Sequence, residues 1–315
     1  MQSYNFKSFH GGATTRILAV ALVVIALLGS SVAQQQGLAR VGPVDSSNGF
    51  PQWYQDKTGL ALDLCLPDAA ELASGICFIL PGTINLPIVF PTNYPPEAFY
   101  FAADSVMNVN GGQARVTIGH EGGFSTIAGA IPGNQIVFAR VRIRIDIPAP
   151  GGSYKVITPY MEKTFNALPG KRGINFTEDI GLVPGDFTVA LNGRIGPYLR
   201  PSLTPGGAPL GFSIINGKSY ISDAATPFPV TGSPLGIDHN VFRIEGPNIG
   251  GPGVNFIQTT LFTLMGRVHT APIPSPLAID RATYVRDAQK GWIDVFTTAT
   301  PGVGKPTPVL SVAAG

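Results

Sequence analysis

One segment limits the fold of this chain more than any other. Residues 136–147 alternate between two sets of side chains, and the alternation continues to the end of the segment. One set is entirely apolar: Val137, Ala139, Val141, Ile143, Ile145 and Ile147. The other set is mostly charged: Phe138, Arg140, Arg142, Arg144 and Asp146. Successive side chains of a β-strand point to opposite faces, so this period of two predicts a strand with one face in a core and a row of arginines on the other.

Composition extends this prediction to the whole chain. The 315 residues include 39 glycines and 29 prolines, which both destabilise helix interiors, while hydrophobic residues reach 44% and are numerous enough for a core. Further short strands are predicted over residues 60–65, 98–107, 114–118, 154–158, 173–177, 186–191, 211–215, 241–245 and 255–268. The strand at 154–158 is expected to form a hairpin with the long strand across the turn at 148–152. The sequence therefore predicts an all-β fold, a β-sandwich of the Ig-like or jelly-roll-like kind.

The N-terminus has the pattern of a secretory signal peptide. Lys7 and Arg16 precede an unbroken apolar run over 17–28, and Ser31 and Ala33 follow with the spacing of a cleavage site. The run is shorter than the ~20 residues that span a bilayer, although an uncleaved N-terminal anchor is the alternative. We expect cleavage after residue 33, no membrane span afterwards, and an extracellular or cell-surface protein that begins with a tether over 34–40.

Cys65 and Cys77 are the two cysteines of the chain. In an exported protein an even pair at this spacing predicts a local disulfide with a structural role, around a loop that holds a short helix near 68–73. Two free thiols or a pair of metal ligands are the alternatives.

The chain divides at a proline-rich break. We expect a main β-sandwich domain over 41–270, a linker over 271–276 that polyproline conformation stiffens, and a second β-module over 277–315. These last residues are too few for a core of their own, so they either pack onto the main domain or, as we expect, are the incomplete start of an Ig-like module.

Several short segments resemble a group of exported bacterial proteins that contain several Ig-like β-domains and have no assigned function. They are the opening VGPVD at 41–45, NGFPQWY at 48–54, TGSP at 231–234, FRIEGPN at 242–248 and NFIQT at 255–259. The resemblance spans about residues 40–300. It implies export and a modular β architecture, and it carries no catalytic residue to this chain.

Charge and motifs exclude several functions. The formal net charge is +2, and removal of residues 1–33 leaves 19 basic and 19 acidic residues, so we expect no nucleic-acid partner. The chain has no G-x-S-x-G, H-E-x-x-H, P-loop or G-x-G-x-x-G motif, and we expect no cofactor and no metal. Ser233 lies close in sequence to Asp238 and His239, but a turn explains this segment better than a hydrolase nucleophile does.

Two sets of residues are candidates for ligand binding. The row of Arg140, Arg142 and Arg144 suits a sulfated or carboxylated sugar polymer, and its alternative role is a solvated face that pairs with acids on neighbouring strands. The second set is a predicted aromatic platform for sugar stacking, whose alternative role is core packing. Its members are Trp53 and Tyr54, joined by Tyr94, Tyr100 and Phe101.

These observations favour an exported, non-enzymatic structural, adhesive or binding module of the cell surface or secretome, with carbohydrate or other surface proteins as partners. The alternative is a polysaccharide-active enzyme, a glycosidase or lyase, that uses a pair of carboxylates. The acids nearest to strand ends are its candidates: Glu121, Glu178, Asp179 and Glu245.

Overall fold

The computed structural model describes residues 35–80, 84–126, 129–273, 277–286 and 291–299. The expected signal peptide, half of the linker and residues 300–315 of the expected second module lie outside this part of the chain. Among the described residues, no helix is long and apolar enough to cross a membrane.

The described chain is nearly all β, which confirms the predicted fold class. The first ten strands in chain order are β1 Leu38–Val41, β2 Trp53–Asp56, β3 Ala61–Asp63, β4 Ile79–Leu80, β5 Glu97–Val109, β6 Gly112–Phe124, β7 Gln135–Ile147, β8 Gly152–Thr158, β9 Met161–Ala167 and β10 Gly170–Ile180. The remaining strands are β11 Arg200–Pro201, β12 Ser213–Ile215, β13 Lys218–Tyr220, β14 Phe228–Thr231, β15 Phe242–Glu245, β16 Phe256–Thr259, β17 Leu261–Met265, β18 Arg267–Val268, β19 Leu277–Arg286 and β20 Gly291–Ala299. One short helix, α1, covers Ala69–Ser74.

The central element is a long antiparallel sheet in the order β10-β7-β6-β5-β17-β14-β11, with β4 also paired to β5. Strand β7 confirms the alternation that the sequence predicts. Its apolar residues, such as Val141 and Ile143, are buried, while Arg140, Arg142 and Arg144 are only partly buried. We call the side of the long sheet that carries these arginines the outer face.

The inner face of the long sheet is covered by two smaller sheets, which gives a sandwich. One has the order β1-β2-β3-β18-β13-β12 and the other β16-β15-β8-β9. Tyr54 of the first packs against Tyr100 and His120 of the long sheet, with ring centroids 4.9 and 4.3 Å away. Tyr154 and Ile244 of the second belong to the same hydrophobic core. Strands β19 and β20 form an antiparallel pair with each other.

Three local predictions are wrong. Strand β8 does not form a hairpin with β7, because β6 and β10 already occupy both edges of β7; it pairs with β9 and β15 instead. Residues 186–191 form a 3-10 turn at Val189–Asn192 rather than a strand, since the Asp186 carboxylate accepts hydrogen bonds from the backbone N–H and hydroxyl of Thr188. The end of the expected tether is strand β1, which pairs with β2.

The structure confirms the predicted disulfide and the short helix in its loop. The Sγ atoms of Cys65 and Cys77 are 1.99 Å apart, so they are bonded to each other rather than free for a metal. Between them, α1 begins at a capping box in which Asp68 and Glu71 accept from each other's backbone N–H groups. It ends at Gly75, whose φ of 68° places it in the left-handed region that glycine tolerates.

Candidate functional site

The outer face of the long sheet holds an open pocket of about 410 Å³. Its walls come from β5, β6, β7, β17 and the segment that follows the disulfide. The walls differ in chemistry from one end to the other. Three guanidinium groups line what we call the arginine end: Arg115, Arg142 and Arg144. Apolar side chains line what we call the aromatic end: Phe78, Phe99 and Met265.

Arg140 is held by carboxylates on three strands. Its Nε and Nη2 donate to the two carboxylate oxygens of Asp179 on β10, at 2.7 and 2.9 Å. Its Nη1 donates to Glu121 on β6 at 3.0 Å and lies 3.8 Å from Glu97 on β5. Arg140 therefore braces the sheet, and for this residue the alternative role, pairing with acids on neighbouring strands, is correct.

The same cluster contains an acid with unusual protonation. Glu121 is 1% exposed, and burial raises the pKa of its carboxyl to about 8. The charge of Arg140 lowers the pKa, while the carboxylates of Glu97 and Asp179 raise it further. Gly119, two residues earlier on the same face, leaves the space that this carboxyl fills, because a Cβ there would collide with it.

Arg142 and Arg144 differ from Arg140, since within the described residues neither forms an ion pair with a carboxylate. Arg142 donates from Nε to the Thr177 hydroxyl at 3.3 Å. Nε of Arg144 is buried and has no hydrogen-bond partner there. Burial lowers the pKa of Arg144, and the positive charges of Arg142, Arg172 and Arg115 lower it further.

The register of the strands places Arg144 where its charge destabilises the sheet. Arg144 lies directly opposite Arg115 on β6, a position at which like charges destabilise a sheet. Arg115 is balanced by Asp104, whose Oδ1 accepts from its Nε at 2.8 Å. Asp146, the next acid along β7, does not balance Arg144, because its two oxygens accept the backbone N–H groups of Arg172 and Gln113. The arginine end therefore has surplus positive charge toward solvent.

The predicted aromatic platform does not exist, which corrects the binding role expected for Trp53 and Tyr54. Trp53 is 4% exposed and Tyr54 0%, because both lie on the sheet that covers the core. The Tyr54 hydroxyl donates to the carbonyl of Phe187 at 2.8 Å. The three other rings expected in the platform are buried too: Tyr94, Tyr100 and Phe101. Four of the five rings belong to the hydrophobic core, as the alternative role predicted, whereas the ring of Trp53 is in contact with Arg40 and His269 instead.

An aromatic residue that the sequence analysis missed does border the pocket. Phe78 is 46% exposed and follows Cys77 directly, so the disulfide holds its backbone in place. The signal in the sequence is this adjacency, but nothing in a single sequence distinguishes Phe78 from the other 17 phenylalanines as the ring beside the arginines.

The four candidate acids lie at three separate places in the structure. Glu121 and Asp179 meet on Arg140. Glu178 is adjacent to Asp179 in sequence, but it pairs with Arg194, whose Nε lies at 2.5 Å. Glu245 pairs with Arg243 on the four-stranded sheet at 2.6 Å. The structure therefore brings one pair of the four together, around a shared arginine.

The Ser233 segment forms a turn, as expected. The Ser233 hydroxyl donates to the carbonyl of Pro159 at 2.7 Å and accepts from the backbone N–H of Leu235 at 3.2 Å. His239 interacts with Glu162 through Nε2, at 3.3 Å, rather than with this serine. The hydroxyl is used within the fold and is not prepared for nucleophilic attack.

Comparison of the chain with protein-family models, with curated proteins and with solved structures gives no match. The fold and the site define an all-β protein with a cationic pocket on the outer face of its longest sheet. The resemblance to exported multi-domain β-proteins stays a prediction, and any functional proposal depends on the geometry of the pocket itself.

Proposed function

We propose that this protein is an exported, non-enzymatic binding module of the cell surface or secretome, and that its arginine end binds a polyanion. One observation carries the proposal: Arg142 and Arg144 border an open pocket without a carboxylate partner among the described residues, and a buried Nε of Arg144 has no acceptor there. Buried polar groups in folded proteins are nearly always hydrogen-bonded. An anion bound in the pocket would pair with the guanidinium groups of Arg142 and Arg144, which no carboxylate among the described residues neutralises.

The expected location of the protein supports a polymeric sugar acid as this anion. The predicted signal peptide and the disulfide are both compatible with an oxidising environment outside the cytosol. Sugar polymers with carboxylate or sulfate groups are abundant polyanions in that environment. Because the predicted mature chain has equal numbers of acidic and basic residues, its attraction to such a polymer is local to this patch.

The test compares binding of three polymers by titration calorimetry: polygalacturonate, sulfated dextran and neutral dextran. The variant is Arg142→Ala with Arg144→Ala. The matched control is Arg194→Ala with Arg243→Ala, which removes the same charge from arginines that already have acidic partners. We expect tight binding of a charged polymer, at least tenfold weakening in the first variant and little change in the control. Equal affinity in both variants would refute the proposal.

A polysaccharide-active enzyme is the second candidate, favoured by the meeting of Glu121 and Asp179 beside the pocket. A carboxyl with a pKa of about 8 is protonated at neutral pH, as a general acid must be. Its side chain is only 2% exposed and accepts a hydrogen bond from Nη1 of Arg140, which favours the structural role. Release of reducing ends from the polymers in the binding experiment, lost in Glu121→Gln, would establish the enzyme instead.

A further inference from the structure

The aromatic end of the pocket has a defined geometry that the proposed polyanion binding does not use. The ring of Phe78 packs against Phe99 with centroids 5.4 Å apart, and the backbone N–H of Phe78 donates to Sδ of Met265 at 2.9 Å. These two contacts and the neighbouring disulfide fix the ring on one side. Its other side remains accessible, with 46% of the residue exposed.

Strand register gives the separation between the two ends of the pocket. Met265 lies opposite Ala102, Ala102 opposite Gly119, and Gly119 opposite Arg140, so these four residues form one row across the sheet. Arg144 is two alternate positions further along β7. At roughly 6.6–7 Å for each such step along the strand, and about 4.8 Å for each of the three strand spacings between β17 and β7, a ligand that reaches both ends spans about 19 Å. A single sugar ring is shorter than this distance.

The floor between the two ends is polar. Asp104 lies in the Arg142 row, and its Oδ1 accepts from Nε of Arg115 and from the Thr117 hydroxyl, both at 2.8 Å. Its side chain remains 25% exposed, so its oxygens are accessible to donors from solvent. Neutral hydroxyl groups are the donors that fit beside guanidinium groups, since a second cation would be repelled.

We infer that the pocket binds an acidic oligosaccharide of more than one ring, which lies diagonally across the strands. This inference depends on the proposed polyanion binding and adds the position of the sugar. The acidic groups bind Arg142 and Arg144, hydroxyl groups donate to Asp104, and one ring stacks on the open side of Phe78. A fatty acid fits less well, because apolar ligands are largely enclosed by their sites and this pocket is open along one side.

The experiment measures Kd by titration calorimetry for galacturonic acid and for oligogalacturonates of increasing length, with sulfated oligosaccharides and laurate in parallel. The variant is Phe78→Ala. The control is Phe256→Ala, which removes a ring of 53% exposure from the four-stranded sheet. We expect wild-type affinity to increase with length and Phe78→Ala to weaken the longer oligomers about tenfold, without effect on the monosaccharide. Phe78→Trp should retain the affinity for the longer oligomers.

The outcomes distinguish this inference from the proposed polyanion binding on which it depends. If the arginine variant loses binding but Phe78→Ala binds long oligomers as wild type does, the stacking position is wrong and polyanion binding stands. If the arginine variant binds all probes as wild type does, both are wrong. Tighter binding of laurate than of the oligomers would show that the ligand is an amphipathic acid rather than an oligosaccharide.

Discussion

Replacement of Glu121 by glutamine should change how the stability of the protein depends on pH. Glu121 faces Arg140, Glu97 and Asp179 from the neighbouring strands, and burial raises its pKa to about 8 from 4.5. In the pH range between these two values the folded protein holds a proton on Glu121 that the unfolded chain has released. The free energy of unfolding therefore decreases as pH rises through this range, by up to about 1.4 kcal/mol per pH unit.

His120, the residue next to Glu121, has the opposite effect on the pH dependence of stability. It therefore decides in which pH range the Glu121 effect is best measured. Burial lowers the pKa of His120 to about 3 from 6.5, so its contribution to stability decreases as pH falls below 6.5. Between pH 4.5 and 6.5 the two effects largely cancel. Between pH 6.5 and 8 the Glu121 effect dominates, and we expect the wild-type protein to lose between about 1 and 2 kcal/mol.

Urea unfolding at pH 6.5, 7.25 and 8.0, followed by tryptophan fluorescence, measures this loss. Glu121→Gln keeps an oxygen for Arg140 and removes the titration of Glu121, so its free energy of unfolding should not decrease over the same window. The difference between the two proteins cancels the contribution of His120, which both retain. Parallel pH profiles for wild type and Glu121→Gln would refute the protonated state of this carboxyl.

Three further changes follow from the same contacts. Gly119→Ala should destabilise the protein by about 1–3 kcal/mol in urea unfolding, because the new Cβ displaces the Glu121 carboxyl from its place; wild-type stability would contradict this steric argument. Asp56→Ala should cost about 3 kcal/mol by the same assay, since this buried carboxylate accepts three backbone N–H groups from two segments, and a loss below 1 kcal/mol would show that those groups find other acceptors. Arg144→Thr should raise stability by about 0.2–1 kcal/mol while it weakens polyanion binding, because it removes a like-charge pair; a loss of stability would indicate that Arg144 has a partner in the folded protein.

The sequence predicted the fold where a local pattern determines the structure. The alternation over 136–147 depends only on the geometry of one strand, and the structure confirms it from Ala139 to Ile147, while Ile136 and Phe138 on the arginine side are buried as well. The short helix inside the disulfide loop was equally local, because Asp68 and Glu71 carry the signal of its capping box.

The predictions that were wrong concern which strands pair and which distant side chains contact each other. The strand after residue 152 has the sequence of a hairpin partner for β7, but pairing is decided by which strand edges are free, and β10 arrives later in the chain to occupy that edge. The predicted binding role of Trp53 and Tyr54 was wrong for the same reason, since the residues that bury these two side chains lie far away in sequence. The arginine row was predicted, but its division was not: Asp179 and Glu121 pair with Arg140 and leave Arg142 and Arg144 without a carboxylate among the described residues.

The most direct test of this account is the affinity of the protein for polygalacturonate with and without Arg142 and Arg144. The account predicts that the double alanine variant binds at least tenfold more weakly than wild type, that added salt weakens wild-type binding, and that neutral dextran does not bind. Binding of polygalacturonate that is unchanged in the double variant would contradict the assignment of this pocket as the anion site.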